Sequence, residues 1–195
     1  MSIEDFYVQS LRDSAAVKER SIEACRAATL RAVEIISDAY RNGGKVLFCG
    51  NGGSAADCQH LATELMIRLN HDIQRPALGA VSLATDPSNM TAGGNDIGFD
   101  NVFARNVEGL GRAGDVLVGI STSGRSRNVL AAVQTARNIG MHTICLLGGD
   151  GGVLKDTCDV PIIVPSTDTQ RIQETHIVLG HIICGSVEHT LYGNP

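Results

Sequence analysis

The sequence predicts a three-layer α/β fold, in which helices cover both faces of a doubly wound, five-stranded parallel sheet ordered 2-1-3-4-5. From residue 45 onward, short apolar runs alternate with segments long enough to form helices. The runs are apolar on both faces, which is typical of parallel strands covered on both sides. A chain of 195 residues is long enough to bury such a sheet in a single domain, 1–195, without disulfides.

The apolar pattern of residues 1–41 predicts helices that precede the sheet and form an N-terminal extension of the fold. Apolar residues recur at helical spacing between residues 3 and 41, at Ile3, Phe6, Tyr7, Leu11, Ile22, Cys25, Ala28, Val33, Ile36 and Tyr40. Asn42-Gly43-Gly44 then ends the second of these helices, because glycine readily closes a last helical turn. The α/β core therefore spans residues 42–195.

The core alternates strands and helices along the chain. The predicted strands are Lys45–Cys49, Gly79–Leu83, Val116–Ile120, His142–Leu147 and Val160–Val164. The predicted helices lie near 53–69, 88–110, 125–139, 150–157 and 169–191. In this strand order, the first and third strands are neighbours at the point where the winding reverses, and ligands bind in the crevice at their carboxyl ends.

Loops of Gly, Ser and Asn follow the first and third strands. The first loop is Gly50-Asn51-Gly52-Gly53-Ser54, and the second loop is Ser121-Thr122-Ser123-Gly124-Arg125-Ser126. Each opens a predicted helix, whose first N–H groups lack internal partners and carry partial positive charge. The four hydroxyls of the second loop exceed what a helix cap requires, whereas a phosphate can bind several. The two loops therefore predict a ligand that carries a phosphate.

Composition excludes some partners. A net charge of −5 without any Lys/Arg run argues against a nucleic-acid or anionic-membrane surface. The N-terminus is polar and mixed in charge, unlike a secretory signal, and no apolar run approaches the length that spans a membrane. The six cysteines form no CxxC pair and predict free thiols in a reducing cytoplasm.

Polar residues on two predicted helices are candidates for chemistry. His60 and Glu64 lie four residues apart on the helix behind the first loop, so both project from one face. Four polar residues, Gln173, Glu174, His176 and His181, interrupt the otherwise apolar last helix, where buried polar groups need partners. Asn95-Asp96 indicates either a turn or a contact to sugar hydroxyls.

The first loop also satisfies a relaxed dinucleotide-binding fingerprint, Gly50-x-Gly52-x-x-Ala55. That motif requires an acid about 20 residues further on, at the end of the second strand, to hold a ribose hydroxyl. The nearest acid after the second strand is Asp86, which is too far along the chain. Binding of NAD is therefore the least favoured alternative.

Three motifs together resemble a known family. CGNGGSAADCQHLATEL, STSGRS and RIQETHIVLGH are similar to the sedoheptulose 7-phosphate isomerases, or phosphoheptose isomerases, of the sugar isomerase (SIS) domain family. The resemblance extends over essentially the whole chain, including GGNDIGFDNVFARNVEGLGRAGDVL. It implies a flavodoxin-like sheet and a homotetramer with active sites built from neighbouring subunits. The implied reaction is aldose–ketose isomerisation of sedoheptulose 7-phosphate to D-glycero-D-manno-heptose 7-phosphate, for bacterial surface heptose such as that of lipopolysaccharide.

The resemblance also implies roles for individual residues. Glu64 and His181 act as base and acid, and several family members carry zinc at the positions of His60, Glu64, Gln173 and His181. The predicted substrate contacts are Asn51, Gly52, Gly53, Glu64, Asn95, Asp96, Ser121, Thr122, Ser123, Ser126 and Gln173. Ser54 of the first loop is also predicted to contact the substrate. Some members have an Asp three residues before the glutamine, where this chain has Gln170, so no contact is predicted there.

Two questions remain open from the sequence. Gln173 and His181 are eight residues apart, about 12 Å along an ideal helix, so both reach one ion only if their side chains converge or if Gln173 precedes the regular helix. Non-catalytic relatives are also alternatives, either SIS-domain proteins that bind sugar phosphates or the replication-initiator-associating protein, which lacks the acid and base. The presence of both Glu64 and His181 favours an enzyme.

Overall fold

The sheet has five parallel strands, as the sequence predicts. In a computed structural model, which describes residues 1–193, they are β1 (Val46–Gly50), β2 (Ala80–Ser82), β3 (Val116–Ser121), β4 (His142–Gly148) and β5 (Val160–Val164). Their order is β2-β1-β3-β4-β5, and every neighbouring pair is parallel. The predicted fold class is therefore confirmed, and each strand limit agrees with its prediction to within one residue.

Helices cover both faces of this sheet. Within residues 1–193 they are α1 (Ile3–Arg41), α2 (Gly53–Met66), α3 (Pro87–Asp96), α4 (Val102–Leu110), α5 (Arg127–Ile139) and α6 (Thr169–Tyr192). Successive strand residues alternate between two buried clusters, since Val46 and Phe48 pack with α1, α2 and α6, while Leu47 and Cys49 pack with α4 and α5. None of the helices in this range is long and apolar enough to cross a membrane.

The N-terminal segment is one helix, and the prediction of two consecutive helices is wrong. α1 runs without a break for 39 residues, because no Gly or Pro interrupts it between Ile3 and Arg41. Ser2 and Asp5 form a capping box at its start. Its first three turns extend beyond the core, where Ile3 and Tyr7 are 90% and 64% exposed.

Glycines account for two of the other differences from the predicted helices. The segment 88–110 divides into α3, a 3-10 turn at Phe99–Asn101 and α4, because Gly98 adopts φ +80° between them. Three glycines with positive φ, at 149, 151 and 152, leave only a 3-10 turn at Leu154–Asp156 where a helix over 150–157 was predicted. α2 ends at Met66 and not near residue 69.

Candidate active site

The two Gly/Ser loops lie side by side at the carboxyl ends of β1 and β3. These strands are direct neighbours, and Gly50 at the end of β1 is paired in register with Ile120 of β3. A reciprocal pair of amide hydrogen bonds joins the loop ends. Asn51 Nδ2 donates to Asn128 Oδ1 over 2.9 Å, and Asn128 Nδ2 donates to Asn51 Oδ1 over 2.8 Å.

Asn128 was missed by the sequence analysis. It is the second residue of α5, is only 2% exposed, and also accepts a hydrogen bond from the Val129 N–H. A signal for it does exist, because Asn128, Ala132 and Ala136 fall on one buried helical face. An amide at a core position of an apolar helix requires a polar partner, and Asn51 is that partner. The side chain of Asn51 is thus committed to joining the loops.

The loops present donors without internal partners. Among residues 1–193, the N–H groups of Gly52, Gly53, Thr122 and Ser123 have no hydrogen-bond acceptor. Gly52 adopts φ +56° at the N-terminal cap of α2, and a Cβ there would meet no atom within 4 Å, so the space above it is open. Free amides of this kind can bind an anion, and those of Gly52 and Gly53 lie at the N-terminus of α2.

The serines of the second loop do not cap α5. Ser126 occupies the N-cap position, but its side chain makes no capping hydrogen bond. Its Oγ instead lies 2.9 Å from the Oγ of Ser121. The two hydroxyls therefore face each other at the carboxyl end of β3, each with hydrogen-bonding capacity left for a ligand.

A third loop, 149–152, supports the second loop from the side and was not anticipated. The Leu154 N–H donates to the Gly124 carbonyl oxygen over 3.1 Å. Gly124 adopts φ +64°, and a Cβ on it would lie 2.0 Å from the carbonyl oxygen of Gly151. The two backbones are thus in direct contact, which only glycine allows.

Three polar side chains meet where the second half of α2 packs against α6. His60 Nε2 lies 3.3 Å from Glu64 Oε1 and 2.7 Å from His181 Nε2. The two imidazole rings meet edge to face, with centroids 5.0 Å apart. The Glu64 side chain is 15% exposed, so its carboxylate is largely shielded but reachable. The predicted shared face of His60 and Glu64 on α2 is present.

These three residues fit a metal ion. Their ligand atoms, two imidazole nitrogens and one carboxylate oxygen, all lie within 4.8 Å of one another. Two histidines and one glutamate form a set of protein ligands found in catalytic zinc sites, which keep a further position for water or substrate. The donor chemistry therefore suits zinc.

Gln173 lies eight residues, or about two turns, before His181 on α6, where it packs against the first loop. It lies within the regular part of α6, so the possibility that it precedes this helix is excluded. Its Cγ would lie 3.7 Å from a Cβ placed on Gly53, and its Nε2 donates to both carboxylate oxygens of Asp57, over 2.7 and 2.9 Å. Since the nitrogen is engaged, Oε1 is the Gln173 atom left for a ligand.

Asp57 is a second residue that the sequence analysis missed. It lies three residues before His60 on α2 and is 5% exposed. Burial raises the pKa of the Asp57 carboxyl, and the hydrogen bonds from Gln173 oppose this increase. Asp57 and His60 are three residues apart, so they lie on one face of α2, and this spacing could have identified Asp57 from the sequence.

The remaining predicted residues are placed differently. Asn95 and Asp96 lie exposed at the end of α3, where Asn95 Nδ2 donates to Asp96 Oδ1 over 2.7 Å. Ser54 is buried beneath Gly50 at the start of α2. Among residues 1–193, no hydrogen bond joins the Asn95 or Asp96 side chain to either loop.

Of the four polar residues predicted on α6, two face the candidate site and two pack within the protein. Glu174 forms an ion pair with Arg171 over 2.6 Å. His176 is completely buried, and its Nε2 lies 2.9 Å from the Leu147 carbonyl oxygen. Burial lowers the pKa of His176 to about 4, so it is neutral at ordinary pH. Gln173 and His181 face the site, while Glu174 and His176 serve packing.

Comparisons with known proteins relate this chain to a family. Residues 9–148 match the family model of the SIS domain. The phosphoheptose isomerase of Chlorobaculum parvum is 51% identical over 183 residues, covering 93% of this chain and 85% of that protein. The phosphoheptose isomerase of Clostridium acetobutylicum is 53% identical over 161 residues, covering 83% of this chain and 81% of that protein.

Solved structures agree as well. The phosphoheptose isomerase GmhA of Neisseria gonorrhoeae superposes with a TM-score of 0.89 at 44% identity, covering 95% of this chain and 98% of that chain. A phosphoheptose isomerase of Francisella tularensis superposes with a TM-score of 0.93 at 35% identity, covering 97% and 100%. The NanR protein of Vibrio vulnificus, complexed with ManNAc-6P, shares the fold alone, with a TM-score of 0.67 at 14% identity.

Proposed function

Because this chain belongs to the SIS domain family, and because phosphoheptose isomerases align with nearly all of it, we propose that it is an aldose–ketose isomerase that converts sedoheptulose 7-phosphate to D-glycero-D-manno-heptose 7-phosphate. The observations that carry the proposal are the two Gly/Ser loops, side by side at the carboxyl ends of β1 and β3, and the Glu64–His181 pair between α6 and α2, the helix that the first loop opens. The product supplies bacterial surface heptose.

The chemistry requires a base and an acid on a substrate held at its far end. Isomerisation moves one proton between C1 and C2 through an enediol(ate) and another between the two oxygens. Glu64 takes the carbon-bound proton from one carbon and returns it to the other, while His181 exchanges protons with the oxygens. The free N–H groups and hydroxyls of the loops hold the phosphate, which keeps the reacting carbons in register.

The remaining substrate contacts are proposed by resemblance. The loop residues around the phosphate end are Asn51, Gly52, Gly53, Ser121, Thr122, Ser123 and Ser126. The predicted contact of Ser54 is not proposed again, because its side chain is buried and its N–H donates to the Asn51 carbonyl oxygen. Asn95 and Asp96 are proposed to bind sugar hydroxyls, and their exposure leaves both side chains open to such a ligand or to another subunit. Gln173 offers Oε1 to the substrate beside Gly53.

The central test is conversion of sedoheptulose 7-phosphate in deuterated water without added nicotinamide. We expect the aldose phosphate to form with deuterium at C2, because the base exchanges its proton with solvent. Unphosphorylated sedoheptulose is the matched control and should react far more slowly. Binding of the sugar phosphate without turnover would favour a non-catalytic SIS-domain protein, and a requirement for NAD would favour a dehydrogenase.

Zinc is the proposed cofactor, at one ion per subunit. His60, Glu64 and His181 would hold it, and the resemblance adds Gln173, whose Oε1 would then bind the ion and not the substrate. A bound zinc would polarise the oxygens of the substrate. With zinc bound, Glu64 could not easily serve as a tight ligand and as the free base in the same step.

Replacing His60 with Ala should remove zinc from the purified protein. Loss of residues that only support a ligand weakens metal binding by about 10- to 100-fold, so loss of a direct ligand should weaken it by at least about 100-fold. Metal analysis after purification without chelator measures this. His142→Ala, an exposed histidine at the start of β4, should keep the wild-type zinc content. Equal and negligible zinc in all three proteins would contradict the proposal.

Replacing Asn128 with Asp should weaken substrate binding. The carboxylate cannot donate to Asn51 Oδ1, so two acceptors would face each other where a 2.8 Å hydrogen bond exists now, and the added charge would repel a phosphate. We expect KM to rise at least about 10-fold, equivalent to about 1.4 kcal/mol. Asn138→Asp, on the exposed end of the same helix, should leave KM unchanged. An unchanged KM in Asn128→Asp would show that the loops do not depend on this pair.

Assembly into a homotetramer is also proposed. A groove of about 600 Å³ runs between α1 and α6 with mainly apolar walls. Large apolar side chains remain exposed next to it, including Ile22, Leu30 and Ile182, which are 48–56% exposed. Ile182 adjoins His181, so a second subunit covering this face would also close the site. Sedimentation equilibrium should give the mass of four chains, and a monomer would contradict the proposal.

A cytoplasmic location completes the proposal. All six cysteines are free thiols in the structure, and five of them are buried. Thiols persist in this form in a reducing compartment.

A further inference from the structure

A buried ion pair joins the segment after α2 to the C-terminal half of α6. The side chains of Arg75 and Glu188 are 1% and 0% exposed, and Arg75 Nη2 lies 2.7 Å from Glu188 Oε1. Arg75 Nε donates to the same oxygen over 2.8 Å. Removing two charges from water is costly, and pairing them often does not recover the whole cost. A buried ion pair therefore requires an explanation beyond stability.

Glu188 also binds the start of this segment. Its carboxylate accepts hydrogen bonds from the Leu69 and Asn70 N–H groups, each over 2.9 Å, and from Asn70 Nδ2 over 2.7 Å. Together with Arg75, these donors saturate the carboxylate. One side chain of α6 therefore fixes the chain between residues 69 and 75.

The same guanidinium reaches the backbone of the proposed base. Arg75 Nη2 donates to the Glu64 carbonyl oxygen over 2.8 Å. Glu64 lies in the last turn of α2, where carbonyl groups have no partner within the helix. Arg75 therefore fixes the peptide group that carries the Glu64 side chain.

Glu188 is also aligned with the proposed acid. It follows His181 by seven residues in α6, which places the two residues on one helical face, two turns apart. The path from Glu64 through Arg75 to Glu188 thus connects the helix that carries the base to the helix that carries the acid.

We propose that Arg75 and Glu188 are positioning residues for the isomerisation, which hold α2 against α6 so that Glu64 and His181 keep their separation across the substrate. The inference rests on the proposed function. The planar guanidinium serves Glu188 and Glu64 at once, which a lysine ammonium does not reproduce. A displacement of about 1 Å in a reacting group lowers rates about 100-fold, so a rigid connection at this point matters.

The test compares steady-state kinetics and thermal unfolding for Arg75→Lys, Glu188→Gln and the double variant Arg75→Met/Glu188→Gln. The double variant removes both charges and so leaves no buried charge unpaired. We expect kcat to fall about 10- to 100-fold in the double variant and in Arg75→Lys, while KM stays within about 3-fold, because the phosphate loops are untouched. The exposed pair Arg105→Met/Glu108→Gln on α4 is the matched control and should keep the wild-type kcat.

The outcomes separate this inference from the proposed function. A folded double variant with wild-type kcat would overturn the inference, as would a rise in KM alone. If the double variant does not fold, the kcat and KM of Arg75→Lys and Glu188→Gln decide in the same way. Each of these single variants retains a polar group at its position. A wild-type protein that does not isomerise sedoheptulose 7-phosphate would refute the proposed function itself.

Discussion

Replacing Glu64 with Gln is expected to abolish isomerisation and the exchange of the carbon-bound proton with solvent. Glutamine has the same shape as glutamate but cannot accept a proton at neutral pH. General base catalysis contributes about 10²- to 10⁴-fold, and no second carboxylate belongs to the cluster of His60, Glu64 and His181 among residues 1–193. We therefore expect kcat to fall at least about 1,000-fold.

The measurement is incorporation of deuterium at C2 of the aldose phosphate, followed by NMR for wild type and Glu64→Gln side by side. Glu108→Gln removes an exposed carboxylate of α4 and should behave as wild type. Zinc content must be measured in each protein, because Glu64 is also a proposed ligand. Comparable exchange in Glu64→Gln would mean that another group is the base and that Glu64 serves only as a ligand or a contact.

The largest effect on stability is expected from Gly124→Ala. The left-handed conformation at φ +64° costs a residue with a Cβ about 1–2 kcal/mol. That Cβ would also lie 2.0 Å from the Gly151 carbonyl oxygen and 2.4 Å from its carbon, and neither backbone atom can rotate away. We expect a loss on the order of 3–4 kcal/mol in the free energy of unfolding, from the sum of strain and overlap.

Gly43→Ala is the matched control for this substitution. Gly43 has φ +78°, but a Cβ on it would meet no atom within 4 Å. Gly43→Ala should therefore lose only the conformational cost, about 1–2 kcal/mol in the free energy of unfolding. The difference between the two variants, measured by denaturant unfolding, then gives the cost of the steric overlap at Gly124. Equal losses in Gly124→Ala and Gly43→Ala would show that the loop 149–152 moves aside and does not support the second loop.

The sheet was predictable from the sequence because its signals are local. Each strand is an apolar run bounded by loop residues, and the chain order of strands and helices limits the topology to few choices. The division of 88–110 was not predicted, because a glycine inside a segment does not always end a helix and only the structure shows that Gly98 adopts φ +80°. α1 was divided in the prediction although nothing in its sequence breaks a helix.

The site was predictable where spacing or loop composition carries the signal. His60 and Glu64 follow from helical spacing, and the loops follow from their glycines and serines, whereas the role of His181 came from resemblance. Asn128 and Asp57 carried a helical-spacing signal that was not used, whereas Arg75 and Glu188 were missed because their partners are remote in sequence. Asn51 and Asn128 are 77 residues apart, and Arg75 and Glu188 are 113 apart, so no local pattern reports the contact.

The reciprocal hydrogen bonds between Asn51 and Asn128 also affect the slow chemical inactivation of the protein. Asn51 precedes Gly52, and asparagine in this setting loses ammonia by attack of the following backbone nitrogen on its side chain, a reaction that makes such residues thermolabile. While Asn128 holds the carboxamide in place, that attack is hindered. Transient opening of the strand end removes the hindrance, so irreversible inactivation on warming should follow the frequency of local opening and not the global unfolding equilibrium.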